Sequence, residues 1–177
     1  MRFHAITGLA AAALLAGCAS RPQPPAPPPG RAPSPAVTAP ALPAPTPAAY
    51  VDAAGSADLL VIRASELALQ RLGAGADRGL AEAMIREHRG MSAQLSLSGR
   101  RVNLLPPATL LVRHQARLRA LEGSANFAGE YRRLLRAVHE ELLRLHSSFA
   151  ARGSSPTLRP VASAAEARIR THLARMN

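Results

Sequence analysis

The sequence contains no lysine and no tryptophan, and its only cysteine is Cys18. A single cysteine excludes a disulfide within the chain. Aromatic residues make up only 3% of the chain, so its core must be built from leucine, alanine and other aliphatic side chains. The same scarcity leaves few platforms on which nucleic-acid bases could stack. All 22 basic residues are arginine, and with 11 acidic residues the formal net charge is +11, which favours anionic partners.

Several catalytic motifs are also missing. A chain without lysine cannot form a P-loop, and the sequence has no Gly-x-Ser-x-Gly elbow. The segment His139–Leu143 is not a zincin motif, because Leu143 stands where the second histidine is needed. No Glu-x-x-His occurs, although a ferritin-type dimetal site requires that motif from two helices. These absences favour a protein that is not an enzyme.

The N-terminus has the pattern of an export signal. Arg2 gives a short basic start, and residues 5–16 form an apolar run rich in alanine and leucine. Spanning a bilayer takes about 20 apolar residues, so this run is too short to be a transmembrane helix. It has the length of the hydrophobic region of a signal peptide, and we therefore expect residues 1–17 to be a signal peptide.

The apolar run ends in Leu15-Ala-Gly-Cys18, which resembles the lipobox of bacterial lipoproteins. The resemblance implies that the chain is cut before Cys18 and that the Cys18 thiol carries the lipid. Ala19, rather than aspartate, follows the cysteine, which by the same resemblance implies an outer-membrane lipoprotein facing the periplasm. The alternative interpretation is an ordinary signal peptide with an incidental cysteine.

A proline- and alanine-rich linker follows. Twelve of the sixteen prolines fall between Pro22 and Pro47. Proline cannot donate to a helix or sheet ladder, and such a composition cannot bury a core. Residues 18–49 are therefore predicted to be a disordered, extended tether, at about 3.1 Å per residue. Alternatives are a proline-motif ligand or a strand that threads the peptidoglycan.

Residues 50–177 are predicted to be an all-α bundle domain. Apolar residues recur at helical spacing, and no alternation typical of strands occurs. Capping residues, prolines and glycines divide the segment into about five helices, which we expect at 56–72, 77–97, 106–122, 126–151 and from about 157 to the end. Ser56 and Asp77 are the predicted caps of the first two helices, and Asp58 is predicted to lie near the start of the first. The short connections favour antiparallel neighbours in an up-down four-helix bundle.

Polar residues occur on the apolar stripes of four of these helices. They are Glu66, His88, His139 and His172. Carboxylate and imidazole groups together suit Zn, Fe, Cu or Ni, so one hypothesis is a mononuclear transition-metal site. The other is a structural hydrogen-bond network of these side chains with Tyr131. His114 and His146 are interpreted as edge or core histidines.

The same domain resembles a bacterial envelope family known as a domain of unknown function, number 4142. The pentapeptide Met84-Ile85-Arg86-Glu87-His88 is similar to the Met-Val-x-Asp-His of that family. Tyr131 with His139 is similar to its Tyr-x₇-His, and His172 lies in the last helix, with Glu66 in the first. The resemblance implies a ferritin-like helical bundle and an envelope location, and it implies no established reaction.

Three hypotheses about function follow. The sequence favours a lipid-anchored, non-catalytic bundle that serves as an interaction or stress-associated module, with the membrane bound through Cys18. The alternative is a metal-binding bundle that uses the interior Glu/His set. A third hypothesis concerns the arginine-rich surface, because residues 18–177 keep a net charge of +10 that could bind anionic lipid or other anionic envelope components. Nucleic acid is not expected as a partner.

Overall fold

The computed structural model describes residues 45–176 of the 177-residue chain. Cys18, the predicted signal peptide and most of the predicted tether lie outside the described residues. Within residues 45–176 the chain forms α-helices and no β-strand, which confirms the predicted all-α class. The five helices are α1 (Pro47–Arg71), α2 (Ala76–Arg100), α3 (Val112–Glu122), α4 (Phe127–Arg152) and α5 (Arg159–Arg175). None of them combines the length and the apolar character needed to cross a bilayer.

The four long helices form a bundle in which adjacent helices run antiparallel, as expected for the pairs α1/α2 and α4/α5 that short loops join. Ser65 bonds to Tyr131 near one end of the α1–α4 contact, and Tyr50 bonds to His146 near the other, which fixes the opposite directions of these two helices. Helices α2 and α4 lie diagonally across the bundle, and short α3, packed on α1 and α4, is part of the connection between them. One crossover of this kind is typical of ferritin-like bundles.

Helix α1 begins nine residues before the predicted start at Ser56. Proline is tolerated in the first helical turn because its missing N–H would have no partner there, and Pro47 occupies that position. The Thr46 hydroxyl caps the helix by accepting a hydrogen bond from the Ala49 amide at 3.2 Å. Ser56 is therefore not a cap but a buried residue in the middle of the helix.

The starts of α2 and α3 also differ from the predictions. Gly75, with φ of +147°, precedes α2, so Asp77 lies inside the first turn rather than at the cap. Helix α3 begins at Val112 and not at Pro106. The proline instead packs on Gly55 of α1, where an added Cβ would lie 2.5 Å from the Pro106 Cβ. A glycine at this position allows the connecting loop to lie directly on the helix.

Helices α4 and α5 begin close to where their sequences predict. The Asn126 side chain accepts a hydrogen bond from the Gly129 amide at 3.3 Å and caps α4. Pro160 lies in the first turn of α5, where a proline costs no hydrogen bond. Gly123 and Gly153 follow the ends of α3 and α4.

The core contains two apolar clusters and a set of buried polar residues. At one end of the bundle, Tyr50 stacks on Phe149 with ring centroids 4.0 Å apart. The other cluster is mainly leucine and alanine around Tyr131. Asp58 and His139 are buried near the midpoints of α1 and α4, next to Ala57 and Val138 of this second cluster. The polar layer therefore lies in the middle of the bundle, where the long helices converge.

Candidate metal centre

Three histidines from three helices meet in this central layer. His88 lies on α2, His139 on α4 and His172 on α5, and each is 0% exposed. The Nε2 atom of His139 lies 3.2 Å from Nε2 of His88 and 3.1 Å from Nδ1 of His172. One nitrogen from each ring can be chosen so that all three lie within 4.8 Å of one another. We call these residues the histidine trio.

The outer nitrogens of two of these rings have acceptors that fix the position of the proton. Nδ1 of His139 lies 2.7 Å from the Leu135 carbonyl oxygen, and a carbonyl can only accept, so this nitrogen carries hydrogen. Nε2 of His172 lies 2.8 Å from Glu87 Oε2, and Glu87 also accepts from Arg175 at 3.0 Å. Burial raises the pKa of Glu87, but these two bonds outweigh burial and bring it to about 2. Glu87 is thus a carboxylate, and His172 donates to it.

The third outer nitrogen faces a buried carboxylate on the fourth long helix. Nδ1 of His88 lies 2.8 Å from Oδ1 of Asp58, which is 2% exposed. Ser92 donates weakly to the other carboxylate oxygen at 3.4 Å. Burial raises the pKa of Asp58 to about 7, although nearby His146 and the Ser92 bond oppose the shift. Sequence reasoning missed Asp58, which was assigned to the first turn of α1 because the helix start was placed too late.

Burial keeps the trio neutral at ordinary pH. It lowers the pKa of His88 to about 3 and that of His139 to about 3, and it is also the largest cause of the lowered pKa of His172. Neutral imidazole is the form that binds metal ions, because a protonated ring has no free lone pair. The trio therefore needs no deprotonation before it can act as a ligand set.

Two of the three distances between the inner nitrogens are those of a metal site. Nitrogen ligands lie about 2.0–2.1 Å from zinc, so two of them at a tetrahedral angle are about 3.3 Å apart. The two short distances around His139 are 3.2 and 3.1 Å. The outer nitrogens bond to carboxylates or a carbonyl, as is usual for histidines that ligate metals.

Glu66 does not join the trio, and this corrects the expectation that it belongs to the same site. It lies at the surface of α1, with 42% of its side chain exposed, and accepts from Arg89 Nη2 at 2.6 Å. Asp58, eight residues earlier, supplies the buried carboxylate. A paired surface carboxylate is the ordinary environment of an acidic residue.

Tyr131 does not bond to the trio either. Its hydroxyl lies 2.9 Å from the Ser65 hydroxyl, within the apolar cluster towards the other end of α1. The prediction that Tyr131 forms a hydrogen-bond network with His88, His139 and His172 is therefore wrong. The trio's acceptors are instead Asp58, Glu87 and the Leu135 carbonyl, as described above.

His114 is a buried histidine in a separate polar contact. Its Nδ1 lies 2.7 Å from the Ser56 hydroxyl, which also accepts a bond from the Leu111 amide at 2.8 Å. Its Nε2 lies 3.3 Å from Glu141, which is also bound by Arg117 at 2.6 Å. This contact joins α1, α3 and α4 and has the character of a structural link.

His146 is buried with one ring nitrogen unsatisfied. Its Nδ1 lies 3.1 Å from the Tyr50 hydroxyl. Its Nε2 has no hydrogen-bond partner, which makes it the one such buried side-chain atom in residues 45–176. Burial lowers the pKa of His146 to about 4, so the ring is neutral beside the Tyr50–Phe149 stack.

The fold has a counterpart among solved structures. The structure described as "CopM in the Cu(II)-bound form" superposes with a TM-score of 0.63 at 17% sequence identity, over 75% of this chain and 94% of that one. At this identity the likeness establishes the shared helical fold. No curated protein matches the sequence. Residues 32–177 match the family model described as "Domain of unknown function (DUF4142)", and the chain therefore belongs to that family.

Proposed function

We propose that this helical bundle binds one divalent transition-metal ion through His88, His139 and His172. The proposal rests on one observation, the contact between His139 Nε2 and His172 Nδ1 at 3.1 Å. Because both rings keep their protons on the outer nitrogens, two lone pairs face each other across this contact. A cation between them turns a repulsive contact into two bonds.

A hydrogen-bond network does not satisfy the same atoms. If Asp58 were protonated, it could donate to His88 Nδ1, and His88 Nε2 could then donate to His139. His172 Nδ1 would still have no donor, because the Leu135 carbonyl and the Glu87 carboxylate hold the other two protons outside. Buried polar atoms are almost always paired. With all three rings neutral, a shared cation satisfies the three inner nitrogens together.

The ligand set and its charge indicate the class of metal. Imidazole nitrogen suits copper, zinc, nickel and iron. Asp58 and Glu87 surround the neutral trio with two carboxylates, which balance a divalent ion when both are ionised. The structural likeness to a protein solved in a Cu(II)-bound form supports Cu(II) as the first ion to test, with Zn(II) as the second.

The burial of the trio favours binding rather than turnover. A catalytic metal site keeps an open position for water or substrate, whereas all three imidazoles here are 0% exposed. A bound ion would be shielded from substrates by the packed helices. We therefore propose sequestration or transfer of the metal as the role of the bundle.

The test is a titration of the full-length chain, purified without a histidine tag, with Cu(II) and Zn(II). We expect one equivalent per chain and, for Cu(II), electron paramagnetic resonance couplings from imidazole nitrogens. The His139→Ala variant should lose this equivalent. The Glu66→Gln variant, altered at the surface site on α1, should keep it. A stoichiometry that does not depend on His139 would rule out the proposed centre.

We also propose that the protein is a lipoprotein of the cell envelope, anchored through Cys18. The support is the sequence Leu15-Ala-Gly-Cys18 after an apolar run, followed by the proline-rich segment. Metabolic labelling with a fatty acid tests this anchor. The label should enter the wild-type chain and be absent from Cys18→Ala, and labelling of both chains would contradict a lipid on this thiol.

A further inference from the structure

We propose that the groove between α2 and α5 binds an amphiphile with an anionic carboxylate head and an unbranched apolar tail. This site goes beyond metal binding and does not require the ion. The groove is a cavity of about 570 Å³, within the range of small-molecule sites. Its apolar lining comes from Met91 on α2 and from Val161, Ala164 and Ala165 on α5.

One stretch of the α2 wall of the groove has no side chain. Gly90 lies in α2 and lines the groove, and a Cβ added there would find no atom within 4 Å. A glycine inside a helix costs roughly 1 kcal/mol relative to alanine. The position is not needed for close packing, so the structural effect of Gly90 is to leave space above the apolar floor.

Two guanidinium groups stand at one end of the groove, on opposite walls. Arg86 of α2 and Arg168 of α5 lie 3.9 and 3.8 Å from Glu87. Glu87 already accepts shorter bonds from His172 at 2.8 Å and Arg175 at 3.0 Å. The side chains of Arg86 and Arg168 are 71% and 55% exposed, and their longer contacts leave donors available for a further acceptor.

The charge at this end selects the head group. Arg86, Arg168 and Arg175 surround one carboxylate, Glu87, so the mouth has an excess of positive charge. A planar guanidinium group can donate two parallel hydrogen bonds to the two oxygens of one carboxylate. A cationic head would be repelled from the same position. The apolar floor begins directly beyond these arginines, which places a tail next to the head.

The length of the groove selects the tail. The lining runs from Glu87 to Gln94 along α2 and from Arg168 to Pro160 along antiparallel α5. Seven residues of helix correspond to about 10 Å. A straight chain of medium length fills this distance, whereas acetate would reach only the arginines. Decanoate is therefore the probe that matches both ends of the groove.

The experiment is calorimetric titration of the metal-free full-length chain with decanoate below its micelle concentration. We expect saturable binding that Gly90→Leu abolishes by filling the groove. Gly79→Leu is the matched control, since Gly79 is also an exposed glycine of α2 with open space at its Cβ but does not line the groove, and this variant should bind like the wild type.

The head group is tested separately. The Arg86→Gln/Arg168→Gln variant should bind decanoate at least about tenfold more weakly, since each charge-assisted bond is about twice as strong as a neutral one. Decyltrimethylammonium and acetate should bind weakly or not at all. Equal binding of the cationic amphiphile, or decanoate binding that survives both Gly90→Leu and the arginine changes, would overturn the proposal. His139→Ala should bind decanoate normally, so failure of the metal centre and failure of this groove give different results.

Discussion

His139 Nε2 and His172 Nδ1 face each other at 3.1 Å, and the proton of each ring lies on the opposite nitrogen. The Leu135 carbonyl holds one of these protons and the Glu87 carboxylate holds the other. The contact is therefore unfavourable in the metal-free protein and favourable once a cation lies between the rings. A ligand that binds only the folded state stabilises it by mass action, so metal binding and folding are coupled at this contact.

This coupling predicts the behaviour of His139→Leu. The variant should bind no metal, and its metal-free form should be as stable as the metal-free wild type or more stable. Replacing a buried polar group by an apolar one of similar shape is nearly neutral when no partner is left unpaired, and the inner nitrogens already lack donors. Urea unfolding in the presence of a chelator measures the difference.

The competing structural network predicts the opposite result for the same variant. If His139 accepted true hydrogen bonds from its neighbours, its loss would leave them unsatisfied and cost about 1–3 kcal/mol. A loss of that size in the chelated protein would therefore favour the network over a metal centre. The wild type with one equivalent of metal should unfold at higher urea than either chelated protein.

Asp58 is predicted to position His88 for the metal. In Asp58→Asn the side-chain oxygen can still accept from His88 Nδ1, but the negative charge is lost. Changes to such outer partners typically weaken metal affinity by about 10–100-fold, and we expect a decrease in that range by competition with a chelator of known affinity. Affinity unchanged in Asp58→Asn would show that the carboxylate does not act on the centre.

The error in assigning Asp58 has a physical origin in the start of α1. The residues Val51, Ala54, Asp58, Val61 and Ser65 alternate in steps of three and four and all face the core. Because the prolines before residue 50 were interpreted as part of the tether, Asp58 fell in a predicted first turn, where an acidic residue is ordinarily exposed. Because proline is common in the first turn of a helix, Pro47 could have indicated the true start of α1.

The histidines were predictable because each lies on an apolar stripe of an amphipathic helix. The sequence identifies His88, His139 and His172 as interior residues, and helical periodicity is enough for that conclusion. Helical periodicity does not determine which helices are neighbours in the bundle or how far each helix is rotated about its own axis. Glu66 is close enough in angle to the apolar stripe of α1 to be assigned to it, but in the structure it reaches Arg89 at the surface.

The buried imidazoles predict that the metal-free protein loses stability in mild acid. The pKa values of His88, His139 and His146 lie below the ordinary 6.5, at about 3, 3 and 4. Each therefore contributes stability that is present above pH 6.5 and lost as the pH falls towards the folded value. The pKa of Asp58 is raised from 3.8 to about 7, so its effect on stability has the opposite sign. The stability that Asp58 contributes is lost as the pH rises through that range.

Three imidazoles against one carboxylate give a net increase of stability with pH between about pH 4 and pH 6.5. Urea midpoints measured across this range with a chelator present should rise steadily. The slope should become shallower in His139→Leu, which lacks one of the three groups. A midpoint that stays constant or falls with pH would contradict the predicted neutral state of these rings.

Two glycines predict opposite effects of the same substitution. Gly55→Ala places a Cβ 2.5 Å from the Pro106 Cβ, and overpacking of this kind costs roughly 1–3 kcal/mol. Gly79→Ala on the open surface of α2 meets no atom within 4 Å and should stabilise the protein by up to about 1 kcal/mol through helix propensity. Thermal unfolding of both variants measures the contrast, and a Gly55→Ala variant as stable as the wild type or more stable would show that the loop does not rest on Gly55.

The Tyr50–His146 contact predicts strong coupling between two substitutions. Tyr50→Phe removes the hydrogen-bond partner that His146 Nδ1 has among residues 45–176 and leaves both ring nitrogens unsatisfied, at a cost of about 1–3 kcal/mol. His146→Leu leaves the Tyr50 hydroxyl unpaired in the same apolar surroundings. In the double variant no polar atom of the pair remains. We therefore expect the double variant to be at least as stable as the less stable of the two single variants. A double-mutant cycle of urea unfolding measures this coupling, and strictly additive losses would indicate that the two side chains do not bond to each other.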